Sequence, residues 1–427
     1  MARELDCMEK ESIHRRSTRC RLCANEKMAL RFSLTSTPPA EWYYTEKLKH
    51  LTVQTYPLDV YQCTGCGHVQ LVDIIDPKAL YDNYFYTTES SPGLKEYFKK
   101  YACKLVADLN LKSDCLVIDI GSNDGTFLHN FLEAGIDVIG IEPSKIVADL
   151  AAKRGVHTVN DFLNEEVVQT VLNDFRKADL VTANNVFAHN DDLSRMTKCI
   201  RSLLKPSGVF VFEVSYLYDT IFDNVFDFIY HEHLSYHSVK PLKQFIESNG
   251  MVLFHVERTP SKGGTIRCYC QTDISAKRAS NTVEECIKLE EGAGLYNAVT
   301  YDEFSQRIKR IGTEFKNELL ELKKNKKVIV GYGASATVTT LLYQFDIADL
   351  IDFLVDDNPI RHFTYSPGHH IPVLPPSHID EQEVDAVAIL AWRFETQILK
   401  RNQKRFESKK VLVPVLKINN MSDKNEN

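Results

Sequence analysis

The stretch from Cys115 to Gly125, CLVIDIGSNDG, constrains the fold of this chain more than any other. A short apolar run ends at a glycine-rich turn, and apolar residues then recur with helical spacing at Phe127, Leu128, Phe131 and Leu132. Strand, glycine-rich turn and helix in this order begin a doubly wound α/β domain. The next strand, VIGIEP, carries Glu142 at its end, about 20 residues after the turn, where an acidic side chain can accept both ribose hydroxyls.

Polar residues follow several strands of this predicted sheet, at the edge where open α/β sheets bind their ligands. The turn GSNDG lacks the G-x-G-x-x-G pattern of nicotinamide-binding domains. The pattern D-x-G-x-x-x-G with an acid after the second strand is instead typical of S-adenosylmethionine methyltransferases. We expect the segments MVLFHVE and TIRCYCQ to close the sheet as an antiparallel hairpin. The predicted cofactor-binding residues are Asp119, Gly121, Ser122, Asn123, Glu142, Asp161, Phe162, Asn184 and His189.

Two C-x-x-C pairs near the N-terminus, Cys20 with Cys23 and Cys63 with Cys66, predict a zinc site. Each pair turns tightly enough to aim two thiolates at one ion, and four thiolates complete a tetrahedral shell, so the zinc is expected to be structural. A redox dithiol is the alternative interpretation, which a single pair would have left open. The chain has 11 cysteines, and a disulfide framework is not expected in a chain of this size and class.

Length and charge narrow the class of protein. A chain of 427 residues is long enough for two or three domains. The net charge of −7 argues against nucleic acid as the main partner, because phosphate binding needs a basic surface. There is no run of about 18 apolar residues, as a membrane span would need, and the polar N-terminal stretch lacks the apolar core of a signal peptide. We expect a cytoplasmic monomer without a membrane partner.

The segment YHEHLSYH, Tyr230 to His237, holds three of the 14 histidines. As a metal site it is poor, because Ser235 stands where H-E-x-x-H needs its second histidine. A histidine can accept a proton near neutral pH, and a neighbouring tyrosine or glutamate can orient it or stabilise an oxyanion. A polar lid without a chemical role is the alternative interpretation, and the segment alone does not decide between them.

A second strand, glycine turn and helix lie in KKVIVGYGASATVTTLL. Gly331-Tyr-Gly333-Ala-Ser-Ala336 is similar to a dinucleotide fingerprint, and Asp356-Asp357 follow at a strand end about 20 residues on. By itself this pattern predicts NAD binding. The start of the helix would suit a pyrophosphate with either a nicotinamide cofactor or another nucleotide.

These motifs, in this order, resemble the S-adenosylmethionine-dependent sugar C-methyltransferases of deoxysugar biosynthesis. The resemblance runs from about Cys20 to Trp392. It implies an α/β protein with a zinc-binding domain (1–78), a Rossmann-like methyltransferase domain (79–305) and a second Rossmann-like α/β domain (306–427) that helps hold a sugar nucleotide. The motifs are C-x-x-C twice, YDNYFYTTESSP, DIGSNDGTFL, GIEPS, NNVFAHNDDL, FDFIYHEHLSY and VIVGYGASAT.

The resemblance also implies a reaction. The substrate would be a nucleotide-linked 4-keto-6-deoxysugar, with dTDP as the expected nucleotide, methylated at C3 through an enolate. His233 would be the catalytic base, with Tyr230 and Glu232 beside it and Tyr84 entering from the segment after the zinc domain, where Tyr81 and Tyr86 are rivals. Residues expected to bind the substrate are Tyr332, Ser335, Pro367, Gly368 and Arg393.

One departure from the family pattern bears on the substrate. Relatives tend to have Asn after the Ala-Trp pair where this chain has Arg393, so the identity of the sugar nucleotide stays open. Three other functions also remain as alternatives: a zinc-ribbon nucleic-acid methyltransferase, an NAD-dependent oxidoreductase using the C-terminal glycine turn, and a zinc-stapled binding module without chemistry.

Overall fold

A computed structural model describes residues 13–48, 50, 53–81, 87–90, 93–272 and 280–414. Tyr84, which we expect in the catalytic site, and its rival Tyr86 lie outside these described residues. Within the described ranges the chain forms three successive units, each with its own β-sheet. No helix among these residues is long and apolar enough to span a membrane.

The N-terminal unit is antiparallel. Strand β3 alternates buried Tyr56, Leu58 and Val60 with partly exposed neighbours, as the two-residue period of a half-buried strand requires. It lies between β2 and β4, and β1 pairs separately with β5. The elements are β1 (His14–Arg16), β2 (Met28–Thr37), β3 (Tyr56–Cys63), β4 (Val69–Leu71), β5 (Asp73–Ile75) and α1 (Pro77–Tyr81).

The central unit begins with α2 and the predicted strand, turn and helix, and continues through alternating strands and helices. Side chains cap two of its helices: Asn164 accepts from the Val167 amide before α5, and Asp192 from the Arg195 amide before α6. The elements are α2 (Leu94–Asp108), β6 (Leu116–Ile120), α3 (Thr126–Glu133), β7 (Asp137–Ile141), α4 (Lys145–Lys153), β8 (His157–Val159), α5 (Glu165–Asp174), β9 (Ala178–Asn184), α6 (Leu193–Leu203), β10 (Leu204–Ser215), α7 (Leu217–Phe222), β11 (Ser235–Tyr236), α8 (Val239–Ser248), β12 (Val252–Thr259), β13 (Thr265–Gln271), α9 (Asn281–Gly292) and α10 (Ala298–Lys324).

Seven strands form the central sheet in the order β12-β13-β10-β9-β6-β7-β8. Strands β6 to β10 are parallel to one another, whereas β13 is antiparallel to both β10 and β12. The predicted closing hairpin is therefore confirmed. Because β6, β7 and β9 are adjacent, the residues that follow them meet at one edge of the sheet.

The C-terminal unit is a second α/β sheet, in the order β16-β17-β15-β14-β18-β19, and only β16 runs antiparallel to its neighbour. Helix α10 leads into it and crosses residues 305 and 306, where we expect the domain boundary. The elements are β14 (Ile329–Tyr332), α11 (Ala336–Phe345), β15 (Phe353–Val355), β16 (Thr364–Tyr365), β17 (Pro372–Leu374), α12 (His378–Glu381), β18 (Ala386–Ile389), α13 (Glu395–Phe406) and β19 (Lys410–Leu412).

The three units share an apolar core. One cluster contains Leu58 of the N-terminal sheet, Phe226 of the central unit and Leu341 of α11. Strand β11, part of the segment YHEHLSYH, pairs with β4 and so extends the N-terminal sheet. The segment from Phe226 to Tyr236 therefore lies where all three units meet.

Candidate active site

Four cysteine side chains converge beside the N-terminal sheet, as the two C-x-x-C pairs predict. The sulfurs of Cys20, Cys23, Cys63 and Cys66 all lie within 4.8 Å of one another. Cys20 Sγ and Cys66 Sγ are 3.6 Å apart, and Cys23 Sγ and Cys63 Sγ are 3.5 Å apart. Zn–S bonds of about 2.3 Å in a tetrahedron need sulfurs at about this spacing, so the four thiolates fit one zinc ion.

The glycine-rich turn after β6 has the backbone that the sequence predicts. Gly121 has φ of +68°, a backbone conformation that residues other than glycine rarely adopt. A Cβ atom there would lie 2.3 Å from Cγ2 of Val186, so glycine is also required for space. The Gly121 amide donates to the Ile141 carbonyl at 2.8 Å, which fixes the turn against the end of β7.

The acidic residues predicted for cofactor binding lie together at this edge. Oε2 of Glu142 accepts from the Asn123 amide at 3.0 Å, and Oε1 accepts from the Ser144 amide at 2.9 Å. Each oxygen keeps a second lone pair, which a ribose hydroxyl can use. Asp119 is buried and accepts from the Thr182 hydroxyl at 2.6 Å; burial raises the pKa of Asp119 to about 7. Asn184 lies beside it, 3.5 Å from Nδ2 to Asp119 Oδ1.

The other residues predicted to bind the cofactor have different surroundings from one another. Ser122 is buried, and its hydroxyl closely approaches Gly140 of β7. Asp161 accepts from the Phe162 amide at 2.7 Å, and the Phe162 ring lies 6.5 Å from the ring of Tyr81. Phe162 therefore lies against Tyr81 at the end of α1.

His233 has a defined hydrogen-bonding arrangement. Its Nδ1 lies 2.7 Å from the Phe228 carbonyl, which can only accept, so Nδ1 carries the proton. Its Nε2 lies 3.1 Å from the Tyr230 hydroxyl, and the two rings are 4.1 Å apart. Burial lowers the pKa of His233 to about 4, and nearby Lys262 also lowers it. The imidazole is therefore neutral at physiological pH and has a basic nitrogen at Nε2.

A second histidine lies beside the first. His189, predicted to bind cofactor, lies with its ring 5.0 Å from that of His233. Its Nδ1 is 3.1 Å from the Tyr81 hydroxyl. Its Nε2 is buried without a hydrogen-bond partner among the described residues. The geometry thus associates His189 and Tyr81, the rival of Tyr84, with the catalytic segment rather than with the glycine-rich turn.

Glu232 is buried, and no positively charged side chain among the described residues pairs with its carboxyl group. Its side chain has no salt bridge in the part of the chain that is described, and its Oε2 has no hydrogen-bond partner there. Burial, with a smaller contribution from Glu41, raises the pKa of Glu232 to about 8. The side chain is therefore mostly protonated near pH 7 and can donate a hydrogen bond. His231, by contrast, points to the N-terminal unit, where its ring lies 5.9 Å from that of Tyr56.

Residues far apart in the chain hold this segment, and sequence reasoning missed two of them. Arg21, inside the first cysteine pair, donates from Nη1 to the carbonyls of Leu234 (3.0 Å) and Leu71 (2.6 Å). Asp227 is fully buried and accepts from Arg393 of the C-terminal unit at 2.7 Å. The sequence offered one signal for each of these residues, a charged side chain inside a recognised motif: Arg21 in C-R-L-C and Asp227 in FDFIYHEH.

The residues predicted to bind the substrate are spread over the C-terminal unit. Tyr332 is 2% exposed, and its hydroxyl donates to Asp357 at 3.0 Å and accepts from Asn402 at 3.1 Å. Ser335 precedes α11 and lies 2.9 Å from the Thr337 hydroxyl. The Pro367-Gly368 turn packs on Tyr343. Among the described residues, no hydrogen bond, ion pair or ring contact links these four to the predicted catalytic residues, whereas Arg393 bonds to Asp227 in the turn before them.

Carboxylates of the chain itself occupy the glycine turn after β14. The Ala334 amide donates to Asp356 at 2.6 Å, and the Ala336 amide at the start of α11 donates to Glu41 at 3.0 Å. Arg361 completes the contact, donating to Glu41 at 2.7 Å. The Glu41 carboxylate thus lies at the helix start where the pyrophosphate of a dinucleotide would bind, whereas Asp356 contacts its turn in the same way as Glu142 contacts the turn after β6.

Comparison with known proteins assigns families to all three units. Residues 20–81 match a model for a zinc binding domain, residues 94–256 a methyltransferase domain, and residues 260–415 the C-methyltransferase C-terminal domain. C-methyltransferase NovU of Streptomyces niveus is 28% identical over 397 residues, covering 93% of this chain and 94% of that protein. The ubiquinone biosynthesis O-methyltransferase of Pasteurella multocida is 29% identical over 107 residues, 22% of this chain and 44% of that protein.

Solved methyltransferase structures are also similar to part of the chain. Magnesium protoporphyrin IX methyltransferase of Synechocystis PCC 6803 with bound SAH is 18% identical, covers 42% of this chain and 82% of its own, and has a TM-score of 0.33. An S-adenosylmethionine-dependent methyltransferase of Clostridium acetobutylicum is 14% identical, covers 42% and 91%, and has a TM-score of 0.34.

The successive matches and the long alignment with the C-methyltransferase agree with the sheet order, the cofactor edge and the cysteine cluster described above. The chain is an S-adenosylmethionine-dependent C-methyltransferase, and its three units are similar to a zinc-binding domain, a methyltransferase domain and a C-methyltransferase C-terminal domain.

Proposed function

We propose that the enzyme methylates C3 of a nucleotide-linked 4-keto-6-deoxysugar, with dTDP as the nucleotide, through an enolate. One observation carries this proposal: a neutral imidazole with a basic nitrogen lies beside a phenol and a protonated carboxyl group. A C–H bond becomes acidic enough for an imidazole when an adjacent ketone can take up the charge. This set provides a base for the proton and donors for the oxygen.

His233 is the proposed base. Because Nδ1–H is donated to the Phe228 carbonyl, the lone pair lies on Nε2, where it accepts from the Tyr230 hydroxyl; the substrate would displace that hydroxyl from Nε2 and accept its proton at the ketone oxygen. Nε2 removes the C3 proton, and the electron pair of that C–H bond moves to form the C3–C4 double bond of an enolate. Burial keeps the imidazole neutral and excludes competing water, but it also disfavours the imidazolium that forms, so hydrogen bonds to the enolate oxygen have to offset that cost.

Tyr230 and Glu232 are the proposed donors to the enolate oxygen. Burial raises the pKa of Tyr230 well above its ordinary value, with Glu232 and Glu41 adding to the effect, so the phenol also stays protonated. Donors fixed in advance inside a water-excluded site stabilise developing charge at small reorganisation cost. Tyr84, outside the described residues, remains a further candidate.

S-adenosylmethionine supplies an electrophilic methyl group when bound. Glu142 is proposed to hold its ribose, and the backbone from Gly121 to Asn123, together with Asp119, Ser122, Asp161, Phe162 and Asn184, to line its site. Held there, it would supply the methyl group for the new C–C bond at C3 and would leave as S-adenosylhomocysteine. Alignment of C3 with the methyl group is the main contribution of the protein to this second step.

The C-terminal unit is proposed to take the nucleotide end of the substrate. We divide the chain into a zinc-binding domain (1–78), a methyltransferase domain (79–305) and this C-terminal domain (306–427). Ser335 at the start of α11 and the Pro367-Gly368 turn are the proposed contacts, with Tyr332 acting from beneath the loop. A phosphate at the α11 N-terminus would have to replace the Glu41 carboxylate there.

The decisive experiment follows the C3 hydrogen in deuterated water without a methyl donor. Wild-type enzyme and dTDP-linked 4-keto-6-deoxysugars should exchange that hydrogen, and His233→Asn should lower the rate by about 10²–10⁴, the usual contribution of a general base. His231→Asn is the matched control, since His231 lies two residues away but faces Tyr56. Calorimetry with S-adenosylmethionine verifies that both variants are folded.

Two results would contradict the proposal. Exchange by His233→Asn at the wild-type rate would place the base elsewhere. Turnover of an RNA, or reduction of a keto-sugar with NADH by the wild type, would favour one of the alternative functions instead.

A further inference from the structure

Asp227 and Arg393 form an ion pair that is closed to solvent. The side chain of Asp227 is 0% exposed and that of Arg393 is 9% exposed. Nη1 of Arg393 lies 2.7 Å from both carboxylate oxygens, and Nε1 of Trp392 donates to Oδ2 at 3.0 Å. Burying two charges costs much of what their attraction gains, so such a pair is a weak source of stability. A role in fixing one conformation is the better hypothesis.

The pair is connected to the base by one short turn. Asp227 lies in the 3₁₀ turn Phe226–Phe228, and the carbonyl of Phe228 is the group that accepts from His233 Nδ1. The Arg393 guanidinium also lies 4.4 Å from the Phe228 ring centre, and the His233 ring stacks on that ring at 5.6 Å. Arg393 therefore holds both the carboxylate and the aromatic ring of the turn that sets the His233 tautomer.

The residues packed around Arg393 restrict the movement of its side chain. A Cβ atom on Gly263 would lie 2.9 Å from Cδ of Arg393, so the hairpin turn between β12 and β13 packs directly on its stem. Helix α11 adds a parallel contact, with the Thr340 hydroxyl donating to the Ile229 carbonyl at 3.1 Å. The turn before His233 is thus fixed from the C-terminal unit at two successive points.

We propose that Arg393 is a positioning residue, which acts through Asp227 and Phe228 to hold His233 in its proton-abstracting orientation. This inference rests on the proposed role of His233 as base. It replaces direct contact with the sugar nucleotide as the function of Arg393. The C-terminal unit then contributes to the chemical step as well as to binding.

The test compares Arg393→Gln and Arg393→Lys with Arg405→Gln, which breaks an exposed ion pair with Asp380 in the same unit. Arg393→Gln should slow C3–H exchange and kcat by about 10- to 100-fold, the cost of roughly an ångström of misplacement. KM for the sugar nucleotide should change less than about threefold. Arg393→Lys should recover part of the rate, because it keeps the charge on Asp227, and Arg405→Gln should match the wild type.

A raised KM with unchanged kcat and exchange in Arg393→Gln would overturn the proposal and assign the residue to substrate binding. Equal loss in Arg393→Lys and Arg393→Gln, without partial recovery, would also overturn it. If Arg393→Gln does not fold, as judged by S-adenosylmethionine affinity, Arg393→Lys and Asp227→Glu carry the same comparison. Failure of the proposed function is distinguishable, since His233→Asn would then leave exchange unchanged whatever the Arg393 variants do.

Discussion

At the scale of single residues, burial shifts two adjacent side chains toward their neutral forms. It raises the pKa of Glu232 to about 8 and lowers the pKa of His233 to about 4. The base is competent above the lower value, and the acid can donate below the upper one. The C3–H exchange rate should therefore be nearly constant from about pH 5 to 7 and fall as pH rises through about 8.

Glu232→Gln isolates the alkaline limb of this profile. Glutamine keeps a neutral donor and cannot ionise, so the fall above pH 8 should disappear while the rate near pH 7 drops by about tenfold or less. Stopped exchange assays between pH 5 and 9.5, on both proteins, measure this. An alkaline limb that persists in Glu232→Gln would show that another group, such as a tyrosine, controls it.

At the scale of elements, the glycine turn after β6 allows a prediction with an internal control. Gly121 and Gly135 have similar φ values, +68° and +75°, but only Gly121 faces a neighbour, Val186. Gly135→Ala should therefore lose only about 1–2 kcal/mol of stability from backbone strain. Gly121→Ala should lose more, and its displaced turn should weaken S-adenosylmethionine binding by about tenfold or more. Thermal unfolding and calorimetry measure the two effects, and equal cofactor affinity in both variants would contradict the prediction.

Local patterns predicted the elements well, and contacts between distant segments set their roles. Both strand–glycine–helix motifs form as the periodicity indicates, because hydrophobic spacing and turn residues act within about 20 positions. The carboxylate that accepts from the Ala336 amide at the start of α11 belongs to Glu41, 295 residues earlier in the chain. No local sequence pattern could predict this contact. The motif predicts a base at His233, but the low pKa of that histidine comes from its burial in the folded protein, which the motif does not indicate.

At the scale of the whole molecule, the N-terminal unit is joined to the catalytic segment rather than merely attached. Strand β4, which begins three residues after Cys66, pairs with β11 directly after His233-Leu234. Arg21, between Cys20 and Cys23, donates to the Leu234 carbonyl at 3.0 Å and to Asp191 at 2.8 Å. Both cysteine pairs are therefore connected to the residues beside His233, the proposed base, and the motif order alone does not indicate this connection.

Zinc removal should consequently affect the base more than the cofactor site. Without zinc the two cysteine turns lose their shared anchor, so β4 and Arg21 are released, whereas the glycine turn and Glu142 belong to the central sheet. Mild chelation should lower C3–H exchange by about 10²-fold, the scale of a misplaced catalytic group. S-adenosylmethionine affinity should fall by less than about threefold, and restored zinc should recover the exchange. Simultaneous loss of both properties would show that the zinc stabilises the whole fold instead.

Arg21→Gln tests the same connection with zinc in place. The buried guanidinium of Arg21 contacts Leu234, whereas the side chain of Arg19, one residue before Cys20, forms an exposed ion pair with Glu26. Arg21→Gln should slow exchange by about tenfold or more at full zinc content, because the Leu234 carbonyl and Asp191 lose a charged donor, and Arg19→Gln should behave like the wild type. Elemental analysis fixes the zinc content of each variant. If Arg21→Gln exchanged as fast as Arg19→Gln, then strand pairing by β4 alone would suffice to hold the catalytic segment.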